Sequence, residues 1–139
     1  MKLLNILLAE DNQGDVLLVR QSLNEHLIEH KLHVVKDGAE AVEFVSRIGN
    51  GDVPCPDLFL LDLNLPKVNG PEVLIEIRKH PQCTSKPIVI VTSSGTAKDR
   101  NRMSRLGISC YFQKPSDLDE FMALGAIVRR LAEADQAVF

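Results

Sequence analysis

The chain has no tryptophan and a single tyrosine, and only three of its 139 residues are cysteine. Cys55, Cys83 and Cys110 lie far apart with no Cys-x-x-Cys pair, which excludes a closed tetrahedral zinc site and offers no disulfide framework. They read as reduced thiols serving as small buried hydrophobes, in keeping with a cytoplasmic protein. Basic excess is also missing. A net charge of −3 argues against general nucleic-acid binding. No apolar run is long enough to span a bilayer, so no membrane association is expected. The opening "MKLLNILLAEDN" is short and closes on Glu10 and Asp11 without a small-residue cleavage pattern, so it reads as a first strand and not a signal peptide. The four histidines (His26, His30, His33, His80) are scattered without Cys, Ser or carboxylate partners, and none is a candidate catalytic base. Repeats, low-complexity segments and long linkers are absent. What remains is a chain of one-domain length, able to build a core without staples.

Short apolar runs alternate with helical patterns along it. "LNILLA" (4–9), "LHVVK" (32–36), "LFLLD" (58–62), "PIVIVT" (87–92) and a segment near "SCYF" read as strands. Helical spacing follows each: Val16, Val19, Leu23 and Leu27, with Asp15 a candidate N-cap; Ala41, Phe44, Val45 and Ile48; Val73, Leu74 and Ile77 after Pro71; "AKDRNRMSRL"; and a last helix from about 117 to 134. Four strands are continuous apolar runs, as expected of a parallel sheet covered on both faces. Five strand–helix repeats with right-handed crossovers predict a doubly wound three-layer α/β/α fold, a flavodoxin-like five-stranded parallel sheet of order 2-1-3-4-5.

In such sheets the ligand crevice lies beyond the carboxyl ends of the strands. Glu10 and Asp11 end the first strand, Asp62 the third and Thr92 the fourth, and Lys114 follows the fifth. With strands one and three adjacent, three carboxylates crowd one pocket against one ammonium, a balance that calls for a cation. Hard oxygen donors without Cys or His favour Mg²⁺, with Mn²⁺ as the alternative. The expected ligands are Glu10, Asp11, Asp62 and the main-chain carbonyl of Asn64. A carboxylate beside such a cation, with a hydroxyl and an ammonium in reach, suits phosphoryl acceptance as an acyl phosphate.

The acidic pair in "LLAEDN", the acceptor in "LLDLNLPKVNG", the hydroxyl in "IVIVTSSG" and the Lys-Pro in "CYFQKP" together resemble the receiver domain of two-component response regulators. The resemblance spans 1–139 as a single receiver domain with no output domain. It implies that Asp62 is the phosphoacceptor, Thr92 the switch hydroxyl, Lys114 the phosphate-contacting lysine and Tyr111 the switch aromatic that turns inward when Thr92 engages the phosphoryl group. It also implies a cis bond before Pro115. Glu10 stands where many receivers have Asp, which lengthens one metal arm. "AEDNQGDV", "DGAEAVEFV" and "PCPDLFLLDLNLPKVNGPEVLIEI" look like the stand-alone regulators that partner phytochrome-type histidine kinases, although the tail "ADQAVF" lacks the Trp-containing ending of that group.

The resulting expectation is a signalling protein and not an enzyme. It takes a phosphoryl group from a sensor histidine kinase and acts through a downstream protein or phosphotransfer partner. A haloacid-dehalogenase-type hydrolase would need Asp where Asn64 stands, and a room-filling cap domain. A flavin mononucleotide carrier would need a phosphate-binding loop where "EDNQGD" repels phosphate. A degenerate receiver would have lost Asp62 or Lys114. Two surface features remain. The helix at 97–106 has a thin apolar face (Ala97, Met103, Leu106), as expected of a mobile element. The last helix carries a wide stripe (Leu118, Phe121, Met122, Leu124, Gly125, Ile127, Leu131), which fits either ordinary burial or a homodimer through the 96–131 surface.

Overall fold

The computed structural model describes residues 2–50 and 53–136; the last three residues of the "ADQAVF" tail lie outside that range. Strands β1 (Leu4–Ala9), β2 (His30–Val35), β3 (Leu58–Leu61), β4 (Ile88–Thr92) and β5 (Cys110–Gln113) form one sheet of order β2-β1-β3-β4-β5, as expected. Every pairing is parallel, with Ala9 opposite Leu61, Leu61 opposite Ile90 and Thr92 opposite Gln113. The intervening helices are α1 (Gln13–Glu25), α2 (Gly38–Ser46), α3 (Gly70–Lys79), α4 (Ala97–Arg105), α5 (Leu118–Phe121) and α6 (Ala123–Gln136).

Because side chains alternate across a strand, the continuous apolar runs feed two separate cores. Leu7, Ala9, Phe59, Leu61, Ile88 and Ile90 point to one face and meet α2, α3 and Met103 of α4. Leu4, Ile6, Leu8, Leu58, Leu60, Val89 and Val91 point to the other and meet Val19 and Leu23 of α1, Phe121 of α5, and Leu124 and Val128 of α6. On that second face α1 and α6 approach closely. A Cβ on Gly125 would sit 2.4 Å from the Ser22 carbonyl oxygen, so glycine alone permits the contact.

Several local details depart from the sequence reading. Helix α1 starts three residues before Val16, and its N-cap is Asn12, whose side chain accepts from the Asp15 N–H at 3.0 Å. Asp15 is therefore in the first helical turn. Capping from Asn12 wins because an Asx side chain three residues ahead satisfies an orphan amide. The predicted last helix is two pieces, α5 capped by Asp117 and α6 beginning after Met122. Of its stripe, Leu118 is exposed, while Phe121, Leu124 and Gly125 are buried.

Two corrections are larger. Among the described residues no peptide bond is cis, so the bond before Pro115 is trans. The trans form is intrinsically favoured by about 0.5–1 kcal/mol before proline, and the trans chain already delivers Lys114 into the crevice. Cys55 and Cys83 are joined in a disulfide, not free thiols; Cys110 alone is free. Cys55 lies in the segment entering β3 and Cys83 in the 3-10 turn (Pro81–Cys83) that precedes β4. The parallel adjacency of β3 and β4 brings these two entry segments together, with Cα atoms 6.0 Å apart, inside the range that a disulfide spans. Separation of 28 residues hid this from any reading of spacing.

Candidate functional site

At the carboxyl end of the sheet, neighbouring strands deliver the predicted residues to one crevice. Glu10 follows β1, and its N–H donates to the Val35 carbonyl at 3.0 Å, extending the β1–β2 ladder by one rung. Asp62 does the same for β3, its N–H donating to the Ala9 carbonyl at 3.1 Å. Both side chains are buried, and Asp11 beside them is exposed. Carboxylate oxygens of Glu10, Asp11 and Asp62 all lie within 4.8 Å of one another.

The chain after β3 is folded tightly back over Asp62. The Gly70 N–H donates to the Leu63 carbonyl at 3.0 Å, and a Cβ on Gly70 would lie 2.5 Å from the Asp62 carbonyl oxygen. Lys67 adopts a positive φ of 70° in this loop. Its ammonium pairs with Asp37 at 3.4 Å, and the Gly38 N–H donates to the Pro66 carbonyl at 3.0 Å, which ties the loop to the start of α2. The Glu40 N–H and then the Lys67 charge hold the Asp37 carboxyl below its ordinary value, against some burial. Asn64 donates its N–H to Asp62 Oδ1 at 3.2 Å and so orients the carboxylate.

Lys114 closes the crevice from β5. Its backbone N–H donates to the Thr92 carbonyl at 2.7 Å, and its Nζ lies 2.7 Å from Glu10 Oε1, 2.8 Å from Asp15 Oδ2 and 3.3 Å from Asp62 Oδ2. Burial alone would lower its pKa. The hydrogen bonds to Asp15 and Glu10 and the charges of Asp62 and Glu10 outweigh that and raise it above the ordinary 10.5, so the ammonium persists. Glu10 moves the other way. Burial raises it from an ordinary 4.5 to about 7, with Asp62 adding to the rise while Lys114 and the Asn12 N–H oppose it.

Thr92 is fully buried at the end of β4, and its Oγ1 accepts from the Ser94 N–H at 3.3 Å. Tyr111 is half-buried on the same side, its hydroxyl donating to the Ser94 carbonyl at 2.7 Å. The Arg100 guanidinium lies over the Tyr111 ring at 4.5 Å and donates to Gln113 Oε1 at 3.0 Å. Ser94 also hydrogen-bonds Asp99. Helix α4 is thus tied to the β4–β5 end mainly by polar contacts, with Met103 its one buried apolar residue.

Glu10, Asp11, Asp62 and Lys114 are therefore brought together, with Thr92 at the end of β4, while Tyr111 stands lower on β5, opposite Ile90. Sequence reading missed Asp15, which it took for a cap. The signal was the third acid within six residues of the end of β1, at the same end of the sheet as Lys114. Nothing in the spacing revealed that Lys114, 99 residues on, would reach it.

A parallel sheet of this order, with an acidic cluster and a lysine at its carboxyl end, matches a known family. Residues 6–125 match the response regulator receiver domain, and the chain belongs to that family. It is a signalling protein of the two-component type, whose receiver domains accept a phosphoryl group from histidine kinases. More particularly, it is 38% identical over 120 residues to the response regulator Rcp1 of Synechocystis sp. (strain ATCC 27184 / PCC 6803 / Kazusa), covering 86% of this chain and 82% of that protein. The solved structure of Mn²⁺-bound Rcp1 matches with a TM-score of 0.80 at 35% identity, over 91% of each chain. The phosphorylated cyanobacterial phytochrome response regulator RcpA matches with a TM-score of 0.85 at 32% identity, over 96% of each. The receiver domain of the sensor histidine kinase PA1611 from Pseudomonas aeruginosa PAO1, with magnesium in its active-site cleft, matches at 26% identity and a TM-score of 0.74, over 95% of this chain and 99% of that one. Among the described residues, no helix is long and apolar enough to cross a membrane.

Proposed function

We propose that Asp62 is the phosphoacceptor of this receiver and that the chain works as a phosphorylation-dependent interaction switch. The observation that carries this reading is the buried Asp62 carboxylate held on one oxygen by the Asn64 N–H and on the other by Lys114, at the mouth of the sheet. One Asp62 oxygen attacks the phosphorus of a phosphohistidine. A P–O bond forms, the P–N bond breaks, and the imidazole leaves with the electron pair and takes a proton from water. Lys114 stabilises charge on one phosphoryl oxygen, and the Thr92 hydroxyl donates to another.

The clustered hard oxygens of Glu10, Asp11 and Asp62 fit Mg²⁺ or Mn²⁺, with the Asn64 carbonyl as a fourth donor. A divalent cation there would supply charge neutralisation for the carboxylates and for the incoming phosphoryl oxygens. Phosphorylation at Asp62 then draws on Thr92, whose neighbour Ser94 is bonded both to Tyr111 and to Asp99 of α4. That network supports α4 and β5 as the responding surface. Similarity to Rcp1 and RcpA supports a phytochrome-type histidine kinase as the donor and, with it, a cytoplasmic location. Output then passes to a downstream protein or phosphotransfer partner. The exposed Leu118 and half-buried Ile127 and Leu131 support a homodimer through the 96–131 surface.

The test is acetyl phosphate with Mg²⁺, read by intact mass. Wild type should gain one phosphoryl group and Asp62→Asn none; a wild type without the adduct sinks the reading. Sedimentation with and without beryllofluoride addresses the dimer, which an unchanged monomer in both conditions excludes.

A further inference from the structure

We propose that Asp15 is the positioning residue for Lys114, holding its ammonium over the acceptor site in every state of the switch; this rests on the phosphoacceptor reading above. An ammonium has three N–H donors, and Lys114 faces three carboxylates. Two of those have other work. Glu10 belongs to the acidic cluster that suits a cation, and Asp62 is the nucleophile. Asp15 lies outside that cluster, yet its Oδ2 is 2.8 Å from Nζ, closer than the 3.3 Å of Asp62. When Glu10 turns to a cation and Asp62 carries a phosphoryl group, Asp15 is the one carboxylate still free to anchor the lysine.

Its own placement is rigid. The Asn12 N–H donates to Glu10 Oε2 at 3.2 Å, and the Asn12 side chain caps α1 by accepting from the Asp15 N–H at 3.0 Å. Gly14 lies between them with little room to spare, since a Cβ there would come 3.1 Å from Asn12 Oδ1. The end of β1, the cap and the first turn of α1 thus form one frame. From that frame Asp15 meets the ammonium of Lys114, the residue that follows β5. A flexible four-carbon side chain gains orientation from a fixed second anchor, and orientation is what transition-state stabilisation of a phosphoryl oxygen needs.

Beryllofluoride is titrated into wild type, Asp15→Ala and Asp15→Asn at saturating Mg²⁺, and Mg²⁺ is titrated alone in parallel. Intrinsic fluorescence reports on Tyr111 only, because the chain has no tryptophan and no other tyrosine. Asp15→Ala should weaken beryllofluoride binding by about fivefold to tenfold, the scale of one charge-assisted hydrogen bond in a site with other anchors. Asp15→Asn keeps an oxygen acceptor and should recover most of that loss. Mg²⁺ affinity should stay within about threefold throughout. A purely structural role at the start of α1 would weaken both ligands equally, and that result overturns the proposal, as does unchanged or tighter beryllofluoride binding in Asp15→Ala. A wild type that binds Mg²⁺ but no beryllofluoride overturns the phosphoacceptor reading itself, and the role of Asp15 with it.

Discussion

Raising the pH from 6 to 8 should tighten Mg²⁺ binding to the unphosphorylated protein by about tenfold. The cause is Glu10, whose carboxyl burial pushes up to about 7. A cation needs the ionised form, so a bound metal and a bound proton compete for the same oxygens. With a pKa of about 7, roughly one molecule in ten carries ionised Glu10 at pH 6 and roughly nine in ten at pH 8, a ratio near tenfold or about 1.4 kcal/mol. At pH 7 metal binding should release about half a proton. Calorimetry in two buffers of different ionisation enthalpy measures both quantities. The sign for folding follows from the same group. Its folded pKa lies above its ordinary 4.5, so protonated Glu10 contributes stability that is fully present below about 4.5 and is lost as pH rises through about 7. Added Mg²⁺ should therefore stabilise the fold more at pH 8 than at pH 6. Glu10→Gln removes the titrating group and should flatten the profile. Equal Mg²⁺ affinity at the two pH values in wild type, or the same slope in Glu10→Gln, would refute the reasoning.

Other outcomes follow from the same geometry. Lys114→Ala removes the ammonium that competes with a cation for Glu10 and Asp62; Mg²⁺ should bind more tightly in this variant, while phosphorylation by acetyl phosphate slows by about 10²-fold. Parallel measurement of both rates and affinities checks this, and a joint loss would contradict it. Reducing the Cys55–Cys83 disulfide opens a loop of 28 residues, a constraint worth about 3–4 kcal/mol in the chain-entropy account, so melting with and without reductant should differ by roughly 10 °C. The melting temperature of Cys55→Ser should not respond to reductant. Gly125→Ala places a methyl group against the Ser22 carbonyl and should cost about 1–3 kcal/mol in denaturant unfolding.

Where the sequence was legible, one local rule and one global rule agreed. "LFLL" (58–61) is apolar at every position because β3 is buried on both faces, and Asp62 is polar because the strand ends there. The same logic located Glu10, Thr92 and Lys114, and hence the site. What stayed hidden depends on pairs far apart in the chain. Asp15 and Lys114 meet only because the start of α1 and the residue after β5 lie at the same end of the sheet, and Cys55 meets Cys83 only because β3 lies beside β4. Helix ends were hidden for a different reason. Asn12 and Asp15 are both good caps, and the choice between them is made by the backbone leaving β1. The trans bond before Pro115 shows the limit of carrying a family feature over by motif alone.

Adjacent residues Tyr111 and Phe112 on β5 point to opposite faces. Tyr111 packs with the core shared by α2, α3 and α4, Phe112 with the core shared by α1, α5 and α6. The open sheet between them acts as a partition. Substitutions on the two sides share few neighbours, so their effects should combine additively. The two layers are thus two nearly independent dials for engineering. Substitutions on the α1–α6 side should leave the layer that holds Tyr111 and Met103 little changed. The crevice at the strand ends, where both layers meet, is the one place that cannot drift alone.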